Sequence, residues 1–285
     1  MSLLVRLLSA LPLRLLQALG AALGWLAYGF SATYRRHLRE NLALAYPGKP
    51  VSALRHAAAG HAGCQALEPL WIWHRPQEQA HQSVAQVSGW ELVQAARGRG
   101  EGIIFFTPHL GCFEITAQYL AKDAPITVLY RPPRQQWLQP LIEAGRGRGN
   151  VKLARADVGG VRLLMRALKH GEAIGLLPDQ VPGKGEGAWV EFFGKPAYTM
   201  TLGARLSEVR DVSVLFVFGE RLPGGRGFHV HFVAPPLPIT GTVEERAAAI
   251  NRCIEELIRR CPEQYLWGYN RYKRPAGAPA PADGG

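Results

Sequence analysis

The sequence predicts an α/β fold: a membrane-associated N-terminal helix and a helical segment, then an α/β domain on a mixed, largely parallel sheet. Three observations carry this. Leu15 to Ala32 contains no charged residue. From there to about residue 98 the chain looks helical, with Ala and Leu periodicity around Ala53 to Leu70. Gly98, Gly100 and Gly102 then mark a change of architecture, after which short apolar runs alternate with helix candidates.

The elements follow in order. Residues 1–34 form a membrane anchor or interfacial helix. Eighteen residues rise about 27 Å as a helix, barely matching a hydrocarbon core of about 30 Å, so a single span and a helix lying in the headgroup layer both remain open. Trp25 and Tyr28 suit an interface in either case, and Arg35, Arg36 and Arg39 favour a cytoplasmic body. The same basic residues argue against a cleaved signal peptide at Ala27-Tyr28-Gly29. A buried core helix is the competing reading, since Leu3, Leu4, Leu7, Leu8, Leu11 and Leu15 repeat at helical spacing. Residues 35–98 are the helical segment.

Residues 99–274 form the α/β core. Strand-like runs lie at Gly102–Phe106, Ile126–Tyr130, Val151–Ala154, Ala173–Leu177, Val212–Phe218 and Phe228–Val233. Helix candidates lie at Glu114–Ala121, Trp137–Glu143 and Gly160–His170. Val243 to Arg260 closes the core as a helix, acidic at its start and basic at its end, as the helix dipole favours. Residues 275–285, rich in Pro, Ala and Gly, read as a disordered tail.

A chain of 285 residues with a formal charge of +11 has room for a full core and favours anionic partners: a phospholipid surface, a phosphorylated glycolipid or an acidic carrier protein. Nucleic acid is disfavoured, because no zinc finger, RNP motif or uninterrupted basic helix accompanies the charge. Cys64, Cys112, Cys253 and Cys261 show no Cys-x2-Cys pairing, so a structural zinc site is not expected. The scattered acidic residues form no metal-ligand spacing, and no cofactor is expected. Gly145-Arg-Gly147-Arg-Gly149 and Gly183-Lys-Gly185-Glu-Gly187 match neither the dinucleotide fingerprint nor a phosphate-binding loop.

The chemistry concentrates at Phe105-Phe106-Thr107-Pro108-His109-Leu110-Gly111-Cys112-Phe113-Glu114. An apolar strand delivers His109 just past a proline, at the strand end where α/β proteins build sites. Among nine histidines it alone has an acid five residues on. A histidine in the turn and Glu114 in the first turns of the next helix can meet. Such a pair leaves one ring nitrogen free to take a proton while the carboxylate holds the other. A buried histidine bonded to a carboxylate for structure alone is the alternative. Cys112 is the weaker candidate, since nothing near it in sequence lowers a thiol pKa.

These residues resemble the glycerolipid acyltransferase pattern His-x4-Asp/Glu. The Glu form after Pro-His-Leu-Gly is similar to the late lauroyl and myristoyl transferases of lipid A biosynthesis. Tyr130-Arg131-Pro132-Pro133, Leu177-Pro178-Asp179-Gln180, Glu191-Phe192-Phe193-Gly194 and Pro262-Glu263-Gln264-Tyr265-Leu266-Trp267 follow in the family's order, up to Arg274. The resemblance implies transfer of an acyl chain from acyl carrier protein to a lipid hydroxyl at the cytoplasmic face of the bacterial inner membrane. His109 would be the base and Glu114 its orienter. Backbone N–H groups near Gly111 would receive the oxyanion, and Arg131 would bind a phosphate. Asp179 and Gln180 would contact substrate, and Phe192 and Phe193 would line an acyl groove. The family pattern's proline in a later strand is missing from Asp211 to Leu215. A lysophospholipid or aminolipid acyltransferase, a thioesterase using water and a non-catalytic membrane-binding relative are the alternatives.

Overall fold

The computed structural model describes residues 3–281 apart from Arg134 and Lys184. The chain opens with four helices, α1 (Leu3–Ala10), α2 (Leu13–Phe30), α3 (Ala32–Ala45) and α4 (Ser52–His74). Then come α5 (Gln77–Gln82), β1 (Val84–Ser88), α6 (Trp90–Gly98), β2 (Gly102–Phe106), α7 (Phe113–Leu120) and β3 (Ile126–Tyr130). A 3-10 turn at Gln136–Leu138 leads into α8 (Gln139–Arg146), followed by β4 (Val151–Arg155), α9 (Val158–Lys169) and β5 (Ala173–Leu176). The rest is β6 (Gly187–Phe192), β7 (Lys195–Met200), α10 (Leu202–Leu206), β8 (Val212–Arg221), β9 (Phe228–Val233) and α11 (Val243–Arg260).

Seven strands form one sheet in the order β1-β9-β8-β2-β5-β3-β4. Strands β8, β2, β5, β3 and β4 are mutually parallel, and β9, with β1 parallel to it, runs antiparallel to β8. The mixed, largely parallel sheet read from the sequence is therefore present. Successive side chains point to opposite faces, so Ile104 and Phe106 enter one core and Ile103 and Phe105 the other. That burial on both faces explains why β2 reads as a continuous apolar run. One face packs against α9, α11 and the β6–β7 hairpin through Leu164, Ile254 and Phe192. The other packs against α2, α4, α6 and α7 through Leu16, Ile72, Val93 and Ile115.

Two structural differences from the sequence expectations have local causes. The segment expected to be helical up to residue 98 contains β1, which aligns with β9; most of its residues face solvent, so its apolar signal is faint. The tail expected to be disordered makes contacts at two residues: Ala278 is buried with Val181 and Tyr198, and the Trp189 indole N–H donates to the Pro279 carbonyl. Residues 282–285 lie outside the described residues.

Helix α2 sits unusually close to α4. A Cβ at Gly24 would come 2.0 Å from the Ala59 carbonyl oxygen, and one at Gly63 would come 1.9 Å from that of Gly20. Glycine there is a packing requirement, comparable to the small-residue seams of membrane helices. The same contact buries Leu13, Leu16 and Gln17. No single helix among the described residues is long and apolar enough to cross a membrane, although α2 and α3, bent by 98°, pass that test together.

Candidate active site

Register brings the catalytic candidates together. Strands β2 and β5 are parallel neighbours with Phe106 beside Leu176. His109 and Asp179 each lie three residues beyond that pair, so they emerge side by side at the carboxyl edge of the sheet. The His109 ring Nδ1 is 2.8 Å from Asp179 Oδ1, and the His109 backbone N–H donates to Asp179 Oδ2 at 2.9 Å. Burial alone would push the Asp179 carboxyl up. The charge of His109, its two hydrogen bonds and the nearby Arg271 outweigh that and hold it below the usual range. Asp179 is thus a carboxylate at neutral pH, placed to accept from an Nδ1–H. Gln180 Nε2 lies 3.1 Å from His109 Nε2, where the amide can donate.

Glu114 is placed elsewhere. Its carboxylate accepts from Arg146 Nε at 2.8 and 3.1 Å, from Arg146 Nη2, and from the Trp73 indole N–H at 3.1 Å. The expected His109–Glu114 hydrogen bond is therefore replaced by His109–Asp179. The first turn of α7 aims Glu114 across the cleft toward α8 and α4, whereas the turn after β2 aims His109 toward β5. Glu114→Gln, which leaves Arg146 half-buried without its counter-ion, is expected to destabilise the cleft wall by about 1–3 kcal/mol, read from the unfolding midpoint.

The turn itself is braced on all sides. Gly111 has φ +59, and a Cβ there would lie 2.1 Å from the Gly219 carbonyl. Its N–H donates to Gln264 O, its carbonyl accepts from Gln65 Nε2, and the Cys112 N–H donates to Gly219 O. The Gly111 and Cys112 N–H groups are therefore already used, and Gly111 braces the turn. Leu266 N–H donates to the His109 carbonyl, so the 262–267 segment holds the histidine from behind. Cys112 is buried, and burial pushes its thiol well above its ordinary value, which removes it as a nucleophile.

His109, Gln180, Arg131, Glu114 and Arg146 line a cleft of about 260 Å³. Phe105, Leu120, Ile126, Val128 and Val151, from strands β2, β3 and β4 and helix α7, line it as well. Gly175 opens the floor: it points into the cleft, with Val128 and Ile126 side chains 3.4 and 3.6 Å from where a Cβ would stand. Arg131 is 60% exposed at the mouth, with Glu186 3.7 Å away. Phe192 and Phe193 do not line this cleft. They belong to the core under the hairpin, against Tyr265 and Trp267, because β6 packs onto α11. The apolar lining of the cleft comes instead from β2, β3, β4 and α7.

A histidine paired with a buried carboxylate thus lines a cleft that also carries apolar side chains. Residues 2–274 match the family described as bacterial lipid A biosynthesis acyltransferase, and the chain belongs to that family. It is 29% identical over 273 residues to the lipid A biosynthesis palmitoleoyltransferase of Escherichia coli (strain K12), covering 94% of this chain and 88% of that protein. The lauroyltransferase of the same strain is 28% identical over 280 residues, covering 95% and 89%. Its myristoyltransferase is 23% identical over 255 residues, covering 87% and 77%.

Proposed function

We propose that the protein moves an acyl chain from an acyl carrier protein thioester to a hydroxyl of a lipid A precursor at the cytoplasmic face of the inner membrane. The carrying observation is His109, bonded to Asp179 through Nδ1 and lining a cleft that it shares with Gln180 and with apolar side chains. Nε2 removes the proton from the acceptor hydroxyl as its oxygen attacks the thioester carbonyl. The tetrahedral oxyanion collapses, the C–S bond breaks, and the imidazolium returns the proton to the leaving sulfur. Asp179 holds the tautomer and offsets the imidazolium charge. The Gln180 amide beside Nε2 is a donor for the developing negative charge. Arg131 offers its planar fork to a phosphate at the mouth.

The test is acyl transfer by detergent-solubilised protein given acyl carrier protein thioesters with a lipid A precursor or with lysophospholipids. Thiol release that depends on the lipid A precursor, with a matching mass gain on it, is expected. Transfer only to lysophospholipid contradicts the acceptor, and thiol release without any acceptor contradicts the transferase.

Gly175→Leu is expected to fill the cleft floor with room for about four carbons. At about 0.8 kcal/mol per buried methylene this disfavours the longest accepted donor by about a hundredfold in kcat/KM, while shorter donors keep their rate. A profile across donor lengths reads this, and a uniform loss would count against the cleft as the acyl site.

The membrane contact rests on α1 and α2. Away from α4 they expose Leu7, Leu15, Leu23, Leu26 and Phe30, the last 88% exposed, with Arg14, Arg35 and Arg36 beside them in sequence. A helix with one face buried in protein and the other apolar suits partial immersion in the headgroup layer. Leu15→Glu with Leu26→Glu is expected to release the folded protein from anionic vesicles in a flotation assay. Undiminished flotation would move the contact elsewhere.

A further inference from the structure

The acidic residues offer no metal-ligand spacing by themselves, yet the sheet assembles a donor set away from the cleft. Strands β8 and β9 pair with Glu220 opposite His229 and Phe218 opposite His231. His229 and His231 are two apart on one strand and so share a face, and Glu220 joins them from across the ladder. Donor atoms of all three lie within 4.8 Å of one another. His231 Nε2 is 2.8 Å from Glu220 Oε2, and His229 Nε2 is 2.7 Å from Ser88 Oγ on β1. The group is partly open, with the His231 and Glu220 side chains 18% and 33% exposed, so an ion can reach it. None of the four lines the catalytic cleft.

We propose that Glu220, His229 and His231 form a binding site for a divalent transition cation of the zinc or nickel type. The donor set decides the class. Two imidazoles and one carboxylate suit zinc, nickel or copper, whereas magnesium and calcium prefer oxygen alone. Bonds of about 2.0–2.2 Å place tetrahedral donors about 3.3 Å apart, so the three groups have only a short distance to close. The imidazole rings now stand 3.7 Å apart at 30°. Ligation turns them until one nitrogen of each aims at the ion. Phe218, stacked on His231 at 4.5 Å and 8°, fixes the position of that ring while it turns. A water or the Ser88 hydroxyl completes four-coordination. The bound ion ties β8 to β9 at the antiparallel end of the sheet, and it takes no part in acyl transfer.

The test is calorimetric titration of chelator-treated, detergent-solubilised full-length protein with zinc sulfate, then nickel, with magnesium as a control, alongside thermal unfolding. The expected result is one zinc per chain and a midpoint raised by about 5 °C at a hundredfold excess over the dissociation constant. Both are lost in the His229→Ala/His231→Ala double variant and weakened at least tenfold in Glu220→Gln, which leaves the sheet face intact. Acyl transfer by the metal-free variants stays at the metal-free wild-type level. Absence of zinc binding by the wild type, undiminished binding by the double variant, or equal binding of magnesium overturns the proposal.

Discussion

Asp179→Asn is expected to lower kcat for acyl transfer by about a thousand- to ten-thousandfold, with the fold and the apparent affinity for the lipid acceptor kept. The reason is the proton count on His109. Asp179 accepts from Nδ1–H through Oδ1 and from the His109 backbone through Oδ2. Asparagine retains one acceptor oxygen for the backbone bond, but its amide N–H then faces Nδ1. That bond requires a bare Nδ1 and moves the proton to Nε2, the atom that must take it from the acceptor hydroxyl. Glu114→Gln changes the Arg146 wall and not the tautomer, so its loss of kcat is expected to be smaller by at least about tenfold. If Glu114→Gln proves the more damaging of the two, Glu114 is the orienting acid in the working enzyme.

The second large effect concerns stability. Glu68 on α4 is fully buried and accepts from Arg221 Nε at 2.5 Å, from Arg221 Nη2 at 2.6 Å and from Gln17 Nε2 of α2 at 2.7 Å. Arg221 in turn exchanges two hydrogen bonds with Gln264, whose carbonyl accepts the Gly111 N–H. Near them His61 is held down to about 4 by burial and by Arg221, so it stays neutral and accepts from the guanidinium. One ion pair thus links the N-terminal helices to the turn that carries His109. Glu68→Gln leaves the Arg221 cation buried without its anion and is expected to cost about 3–5 kcal/mol. In a chain of this size that lowers the melting midpoint by about 10 °C. A shift of under 2 °C would mean that water or another anion reaches Arg221. Because of the same network, deleting residues 1–32 would disturb the interior as well as any membrane contact. The deletion strips Leu13, Leu16 and Gln17 from the interior along with the exposed leucines.

The central strands Gly102–Phe106 and Ile126–Tyr130 were legible because they are buried on both faces, and Phe228–Val233 because its burial alternates; all three carry the bounds expected of them. The α11 helix declares itself through a capping box at Thr242 and Glu245 and through Arg259 and Arg260 at its end. What escaped was set by contacts distant in the chain. Strand β1 exists because β9 aligns with it, and the β6–β7 hairpin because α11 and the core cover it. At the site, His109 was legible from its place after an apolar strand. Its partner was misread because a local spacing, His-x4-Glu, stood in for a sheet register across seventy residues of sequence. The usable signal was positional: His109 follows the apolar run Gly102–Phe106 by three residues, and Asp179 follows Ala173–Leu177 by two. Phe192 and Phe193 illustrate the converse, since aromatic composition alone does not tell a groove from a core.

The most direct measurement is single-turnover acyl transfer by enzyme in excess over acyl carrier protein thioester. Wild type and His109→Gln are compared by mass spectrometry of the lipid A precursor, after both are shown to unfold at the same temperature. The expected result is a mass gain of one acyl chain with the wild type and a rate at least about a thousandfold lower with His109→Gln. A mass gain at the wild-type rate from His109→Gln would contradict the role of His109 as the base, and with it the mechanism built on the His109–Asp179 pair.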